Sequence, residues 1–325
     1  MTNEEKEKIL GTKATPELFY RLDDYSYSNN SKDRVLSGIR QLDYNTKGFE
    51  MGCITIWTGF TNAGKTTVMT MMAKKTIEQG QRVFFFNGEQ TKEDFKNNLY
   101  IQSAETKDLM RVQYKNSCVY DTFITKEKAY ELEKKYGNKI FIYNNEVKKD
   151  INTLLYAMEE VRRKEKIRVF FLDNFMQIDM TSDNIYQEQT DIMEKLREFA
   201  INKNVHIHLV AHPKKTERFQ TRLTLYDVAG SSNLVNKAYN IISILRMDNI
   251  KKIPKDYEKI QSELTEEHYD INEVDTVLDI LKTKGERCGL VGLKYDKVKK
   301  TYTESPILTS ENYEKEKNKG GLRPW

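Results

Sequence analysis

The sequence predicts an α/β fold in which a mostly parallel, twisted β-sheet is covered by helices on both faces. Three observations lead to this prediction. Short runs rich in β-branched and aromatic residues recur along the chain, helical stretches separate most of them, and a glycine-rich motif joins the first run to a helix. Buried apolar strands that alternate with helices are typical of parallel sheets packed between helical layers.

The apolar runs begin near residue 54 and continue to about residue 295. In chain order, the predicted strands are 54–58, 82–86, 139–143, 168–172, 205–210, 241–245 and 277–281. The helices predicted between them include 66–79 and 151–166. At the end of the series, 277–282 and 290–295 flank a glycine-containing turn, and this pattern predicts a C-terminal antiparallel hairpin.

The composition limits the classes of protein to consider. The chain has 325 residues, is 38% hydrophobic and carries a net charge of +4, which neither requires nor excludes a nucleic-acid partner. No run approaches the roughly 18 apolar residues of a membrane-spanning helix, and the polar start of the chain lacks the apolar core of a signal peptide. The cysteines Cys53, Cys118 and Cys288 show no metal or disulfide spacing. We therefore expect a cytoplasmic protein with no membrane partner.

The chain divides into three predicted parts. They are a polar arm at 1–33, a main domain at 34–308 and a flexible tail at 309–325. The arm contains a helix signal followed by Leu18, Phe19 and Leu22 at helical spacing, so this helix packs either on its own domain or on a neighbouring subunit. Within the main domain, 251–275 is charged and mostly acidic and interrupts the pattern as an insertion would.

The glycine-rich motif lies between the predicted strand 54–58 and the predicted helix 66–79. It fits G-x-x-x-x-G-K-[ST] at every position, and the motif with its following residue comprises Gly59, Phe60, Thr61, Asn62, Ala63, Gly64, Lys65, Thr66 and Thr67. In such a loop, backbone N–H groups and a helix N-terminus face phosphate oxygens. We expect Lys65 to neutralise the β- and γ-phosphates and Thr66 to ligate Mg²⁺, so the motif predicts a site for ATP and Mg²⁺.

Two carboxylates follow predicted strands. Asp173 comes directly after the apolar run 169–172, and ligand sites in open α/β sheets lie at the carboxyl ends of strands. Asp173 is therefore expected to support the Mg²⁺ ion, as in other P-loop ATPases. Glu89 follows strand 82–86 and is placed to polarise an attacking water, although it also fits a solvated loop or a helix cap.

A histidine and a basic stretch follow the predicted strand 205–210. His212 would lie near the γ-phosphate if its strand neighbours the one that ends at Asp173. Downstream, Lys214, Lys215 and Arg218 form a basic loop that either grips nucleic-acid phosphates or is simply solvated. On the strand itself, His206 and His208 are predicted to be structural.

The order of these motifs resembles that of a known family. The residues that carry the resemblance lie in 38–43, 48–67, 226–232, 236–246 and 281–296. The first two segments, with Gly38-Ile39, Leu42-Asp43 and the glycine-rich motif, resemble the entry into the helicase domain of DnaB-type replicative helicases. They look closer still to Twinkle and the phage primase-helicases. The resemblance covers about residues 34–305 and implies a RecA-like P-loop NTPase fold.

The resemblance also implies functional roles. It implies a ring, usually a hexamer, that translocates on single-stranded DNA with ATP bound between subunits. Glu89 then becomes the catalytic base, and His212 becomes the sensor of the γ-phosphate. Arg246 and Tyr295 fall where the family contacts the nucleotide base. The residues that fall at its DNA contacts are Lys214, Lys215, Arg218, Gly230, Ser231 and Ser232.

The sequence departs from the family at several points. Where the family places an arginine finger in a Lys-x-Arg motif, this chain has Lys282 and Lys284, with Arg287 three residues on. A lysine carries the charge without the rigid fork of donors, so either Lys284 or Arg287 is the candidate cation in trans. An acidic pair of the family is replaced by Lys237 and Ala238. We also expect neither a primase half nor a full N-terminal collar domain in this chain.

Taken with the motifs, the resemblance predicts an ATP-dependent replicative DNA helicase that acts as a homo-oligomer with a possible primase or loader partner. Two alternatives stay open at this stage. One is a RecA- or KaiC-like DNA-binding ATPase, such as a recombination mediator, that does not unwind DNA. The other is an ATP-switched helicase loader or inhibitor, which the loss of the arginine favours and the presence of Glu89 opposes.

Overall fold

The computed structural model describes residues 33–113, 120–214, 221–228 and 232–307. Several predicted features therefore lie outside the described residues. These are the arm helix with Leu18, Phe19 and Leu22, the tail 309–325, and the predicted DNA-contacting residues Lys215, Arg218, Gly230 and Ser231. Within the described ranges, no helix is both long and apolar enough to cross a bilayer.

The main sheet contains nine strands among the described residues. In spatial order they are β13 (Thr301–Glu304), β12 (Gly289–Asp296), β11 (Thr276–Lys282), β10 (Asn240–Arg246), β3 (Ile54–Thr58), β9 (His206–Val210), β8 (Val169–Asp173), β4 (Val83–Asn87) and β7 (Ile140–Ile142). All pairs from β10 to β7 are parallel, and all pairs from β10 to β13 are antiparallel. The predicted α/β fold with a C-terminal antiparallel hairpin is confirmed, and the antiparallel part gains a third strand, β13.

Two short antiparallel pairs stand apart from the main sheet. They are β1 (Arg34–Val35) with β2 (Phe49–Glu50), and β5 (Leu109–Gln113) with β6 (Tyr120–Ile124). The α-helices of the described residues are α1 (Arg40–Thr46), α2 (Lys65–Glu78), α3 (Lys92–Ser103), α4 (Lys126–Tyr136), α5 (Ile151–Glu165), α6 (Ile185–Lys203), α7 (Ser232–Lys237), α8 (Met247–Ile250) and α9 (Pro254–Glu266). Side-chain caps fix several starts; the Asp150 carboxylate, for example, accepts from the N–H groups of Asn152 and Thr153 at the start of α5.

The strands bury both of their faces, which explains why they read as continuous apolar runs. Successive side chains of β4 point to opposite faces, so Phe85 joins one hydrophobic cluster while Phe84 and Phe86 join the other. Phe171 of β8 stacks on Phe85 with ring centroids 4.7 Å apart, and Phe170 packs on the other face. The sheet therefore separates two cores, and its carboxyl-end edge is held rigidly between them.

The charged segment 251–275 is part of this core. Its helix α9 begins with Pro254 at its first position and turns Ile260 and Leu264 inward, where both are fully buried. Tyr269, beyond the end of α9, is also buried. The charged residues lie on the other faces of the helix, so the acidic composition hid an amphipathic element that packs into the larger core cluster.

The two strand histidines are buried and neutral. His206 donates from Nδ1 to the Glu50 carbonyl at 2.7 Å, while the Trp57 indole donates to Nδ1 of His208 at 3.1 Å. Burial lowers the pKa of His206 to about 4 and lowers that of His208 well below its ordinary value. Both histidines thus belong to the fold, as the sequence predicted, and neither takes up a second proton near neutral pH.

We expect the free energy of unfolding to fall in mild acid. The pKa of His206 is about 4 in the folded state and about 6.5 in the unfolded chain, so the unfolded chain binds more protons between these values. Stability is complete above pH 6.5, and His206 alone removes about 2 kcal/mol of it by pH 5. Urea unfolding at pH 7.5 and pH 5 measures this loss. His206→Gln should flatten the pH dependence, and an unchanged slope in that variant would contradict the assignment.

Candidate functional site

The phosphate-binding loop joins β3 to α2, as predicted. Gly59 leaves the strand with φ 151°, and a Cβ there would lie 2.7 Å from the Ile244 carbonyl. Gly64 has φ 96° and directly precedes Lys65, the first residue of α2. Glycine is needed at both positions because a side chain would clash at the first and strain the backbone at the second. The loop therefore turns sharply and opens onto the helix N-terminus.

Lys65 and Thr66 face the sheet edge. The Lys65 ammonium donates to the carbonyls of Gly59 and Phe60 at 2.9 and 3.0 Å, and its side chain is mostly buried. Burial lowers the pKa of Lys65, while the nearby carboxylates of Asp173 and Glu89 raise it. The positive charge is thus held beside two negative groups within the loop that carries it.

Asp173 ends β8 and is nearly fully buried. Its Oδ2 accepts a hydrogen bond of 2.7 Å from the Thr66 hydroxyl, so the two predicted magnesium ligands are in direct contact. Burial raises the pKa of the Asp173 carboxyl, and the Thr66 hydrogen bond and the Lys65 charge oppose that rise. A hydroxyl and a carboxylate are oxygen ligands of the kind Mg²⁺ prefers, so these residues fit the ion that the motif implies.

Glu89 and His212 meet at the same edge. Glu89 follows β4 and His212 follows β9, and the His212 Nε2 lies 3.5 Å from a Glu89 carboxylate oxygen. Both side chains are partly exposed to the pocket. The condition set by the sequence, that the strand before His212 neighbours the strand ending at Asp173, is met because β9 pairs with β8.

One cavity joins these groups to the antiparallel part of the sheet. It has a volume of about 380 Å³ and is lined by Thr61, Asn62, Gly64, Lys65, Thr66, Thr67, Glu89, Gln90, Asp173, His212, Arg246, Tyr295 and Tyr302. Arg246 and Tyr295 are the two residues that the resemblance assigned to the nucleotide base. Their place in the same cavity as the phosphate loop fits a nucleotide that spans both, since an aromatic ring and a guanidinium plane can each stack on a base.

Sequence reasoning missed three residues of this site: Gln90, Asn174 and Tyr302. Tyr302 of β13 packs on Tyr295 with ring centroids 5.0 Å apart, and its hydroxyl lies against Gly64. Burial raises the pKa of Tyr302 to about 12, so the hydroxyl keeps its proton near neutral pH. The tyrosine seven residues beyond Tyr295 was the only signal for it. For Asn174, the signal was a second polar residue directly after Asp173.

The predicted DNA-contacting segments start from one fastened base. An isolated bridge pairs Pro213 with Val228, and the Lys214 N–H donates to the Asp227 carbonyl at 2.6 Å. Lys214 is exposed. Ser232 begins α7, and its side chain lies outside the description. The described part of this region therefore brings His212, at the cavity, within two residues of a rigid, exposed turn.

Arg222 fastens the other side of the same region. Its guanidinium pairs with Glu263 of α9 and with buried Asp279 of β11, each at 2.7 Å. The charge on Asp279 is compensated by this contact, because an unpaired carboxylate at that depth would cost several kcal/mol. Segment 251–275 thus supplies, through Glu263, one of the two anchors for Arg222.

The three candidate cations do not line the cavity of their own chain in the described residues. Lys282 donates to the carbonyls of Val235 and Asn236 at the end of α7. Arg287 makes a two-point ion pair with Glu267. Lys284 is exposed and lies with its ammonium 5.7 Å from the centre of the Tyr239 ring.

The match to a family model decides the relationship. The model of the DnaB-like helicase C terminal domain matches residues 35–304. The chain belongs to this family. Membership implies an NTP-hydrolysing enzyme of a replicative helicase family, and the fold and recognition that the sequence predicted are confirmed.

Individual relatives of the DnaB-like chain are distant. A Twinkle homolog protein of Arabidopsis thaliana, described as chloroplastic/mitochondrial, is 22% identical over 313 residues, which are 92% of this chain and 40% of that protein. The chain therefore spans less than half the length of that relative. A solved helicase-like ATPase domain superposes with a TM-score of 0.65 at 16% identity, covering 86% of this chain and 94% of that one. A DnaB-like replicative helicase, described with its interactions with primase, gives 0.65 and 16% over 85% and 64%.

We expect Gly64→Ala to abolish nucleotide binding, because the new Cβ would overlap the Tyr302 hydroxyl and the residue would keep a strained φ. Gly80→Ala is the matched control, since Gly80 also has positive φ but open space around it. That control should lose only about 1 kcal/mol of stability. Titration with a fluorescent ATP analogue measures the difference. Full binding by Gly64→Ala would contradict the close contact, and adding Tyr302→Phe should partly restore binding.

Proposed function

We propose that this chain is the motor of an ATP-dependent replicative DNA helicase that translocates on single-stranded DNA and unwinds duplex as a ring, with a hexamer as the family pattern. One observation carries the proposal. The phosphate-binding loop, two carboxylates and His212 meet at one edge of the sheet, and the chain runs from His212 directly into the fastened turn at Lys214. A hydrolysis site and a DNA-contacting region are thereby linked by two residues.

In the proposed reaction, Lys65 binds the β- and γ-phosphates of ATP, and Thr66 and Asp173 hold Mg²⁺. The ion, when bound, supplies positive charge that stabilises the transferring phosphoryl group. Glu89 orients the attacking water and accepts its proton. Arg246, Tyr295 and Tyr302 hold the base and ribose side of the nucleotide. The described contacts around Asp173 and Glu89 support these roles.

His212 is proposed to sense the γ-phosphate and pass its state to the DNA-contacting residues. These are Lys214, Lys215, Arg218, Gly230, Ser231 and Ser232. Lysine and arginine there would neutralise phosphates of the DNA backbone, so binding should weaken as salt rises. A primase or loader partner belongs to the proposal as well, on the resemblance to replicative helicases.

Lys284 is proposed as the cation that reaches the nucleotide of the neighbouring subunit. Lys282 and Arg287 are both occupied within their own chain, by α7 carbonyls and by Glu267. Lys284, in contrast, is exposed and lies beside the face of the Tyr239 ring, a contact that leaves its ammonium accessible to a neighbour. A trans cation of this kind stabilises charge that develops during hydrolysis and contributes on the order of 10³-fold in rate where it is an arginine.

The first test is ATP hydrolysis with and without single-stranded DNA, on protein whose mass in solution is measured alongside. We expect DNA to stimulate hydrolysis and Glu89→Gln to abolish it, since an amide cannot accept the proton of the attacking water. The mass should be that of a ring. A monomer whose slow hydrolysis ignores DNA would overturn the motor and favour the loader or switch.

The trans role of Lys284 is tested by mixing subunits. Lys65→Ala should lose its own site but still offer Lys284 to a neighbour, while Lys284→Ala should lose the cation but keep its own site. Each variant alone should hydrolyse ATP at least about tenfold more slowly than wild type, and a mixture of the two should recover activity. Lys282→Ala is the control for lost charge in the same turn. No recovery in mixtures would place Lys284 outside the neighbouring site.

A further inference from the structure

Asn174 lies between the proposed catalytic base and the proposed sensor. It follows Asp173 directly and is almost completely buried. Its side-chain amide nitrogen donates to Oε1 of Glu89 and lies 3.0 Å from Nε2 of His212. One uncharged group thus contacts both residues that the proposed function places around the γ-phosphate.

The orientation of the Asn174 amide is fixed from behind. Its oxygen accepts from the Met176 N–H at 2.9 Å, at the start of the 3₁₀ turn Phe175–Gln177. The NH₂ group must therefore face the cavity, where its two hydrogens meet two acceptors, Glu89 and His212. Because the amide nitrogen can only donate, Nε2 of His212 accepts and the proton of that ring lies on Nδ1.

We propose that Asn174 is a positioning residue that holds Glu89 for catalysis and ties its position to that of His212. The inference rests on the proposed function. A neutral donor suits this task because it fixes one carboxylate oxygen without adding a positive charge that would weaken the base. The other oxygen stays available to water, since the Glu89 side chain is 46% exposed. A shift of His212 on binding phosphate or DNA then changes the contact at Glu89.

The competing explanation is that Asn174 only caps its own turn. Asn174→Asp separates the two, because aspartate keeps the size and the oxygen that accepts from Met176 but replaces the donor with an acceptor. The matched control is Asn145→Asp, whose amide donates at 2.7 Å to the carbonyl of Asn87 at the end of the strand that precedes Glu89 and does not line the cavity.

The kinetic test compares kcat and KM in two backgrounds. Asn174→Asp should lower kcat by about tenfold or more, part of the roughly 10²–10⁴-fold that general-base catalysis contributes, and leave the KM for ATP within about twofold. With Glu89→Gln already present, the same change should cause no further loss. Asn145→Asp should retain wild-type kcat. Equal losses in both backgrounds, or a fall in KM and stability alone, would leave Asn174 as a cap and overturn the inference.

A spectroscopic test does not depend on hydrolysis. The chain has four histidines, so ¹⁵N spectra of labelled imidazoles at pH 8 are readily assigned with a His212→Gln variant. Wild-type His212 should carry its proton on Nδ1, and Asn174→Asp should move it to Nε2, because the carboxylate accepts where the amide donated. An unchanged tautomer would overturn the contact. If this shift occurs in a protein without ATPase activity, the positioning contact stands and the proposed function fails.

Discussion

Because β3, β9, β8 and β4 run parallel and adjacent, their carboxyl ends meet at one edge of the sheet. Every group of the phosphate side of the site is attached to one of these ends. The loop with Lys65 follows β3, Glu89 follows β4, Asp173 ends β8, and His212 follows β9. Residues more than a hundred positions apart are thereby fixed within hydrogen-bonding distance, and two buried cores keep the strands from moving independently.

The change from parallel to antiparallel pairing at β10 divides the site into two chemistries. The parallel strands supply the cation, the carboxylates and the histidine. On the other side, Arg246 ends β10, Tyr295 lies in β12 and Tyr302 in β13, and these contribute a guanidinium and two rings. Charge that handles phosphate thus comes from one half of the sheet, and stacking surface comes from the other, with Gly64 and Tyr302 in contact at the junction.

The sequence predicted the features that depend on local pattern. Strands buried on both faces leave continuous apolar runs, and the phosphate loop needs glycines at fixed spacing, so both were visible without a structure. Tyr302 and Asn174 were missed because their importance comes from register between strands that are distant in sequence. The role of 251–275 was missed for a different reason. Only two inward positions of α9, Ile260 and Leu264, carry the signal, and the surrounding charge outweighs them in composition.

The path from nucleotide to DNA is short because the same strand ends serve both. Asn174 contacts His212, and two residues later Lys214 donates to Asp227 in a turn that Pro213 and Val228 close. The far side of that region is held by Arg222 to Asp279, which lies on β11 and so belongs to the sheet itself. A displacement of His212 by a phosphate oxygen therefore meets a fixed anchor beyond the turn. Movement is then confined to the backbone between the two, which includes the residues proposed to contact DNA.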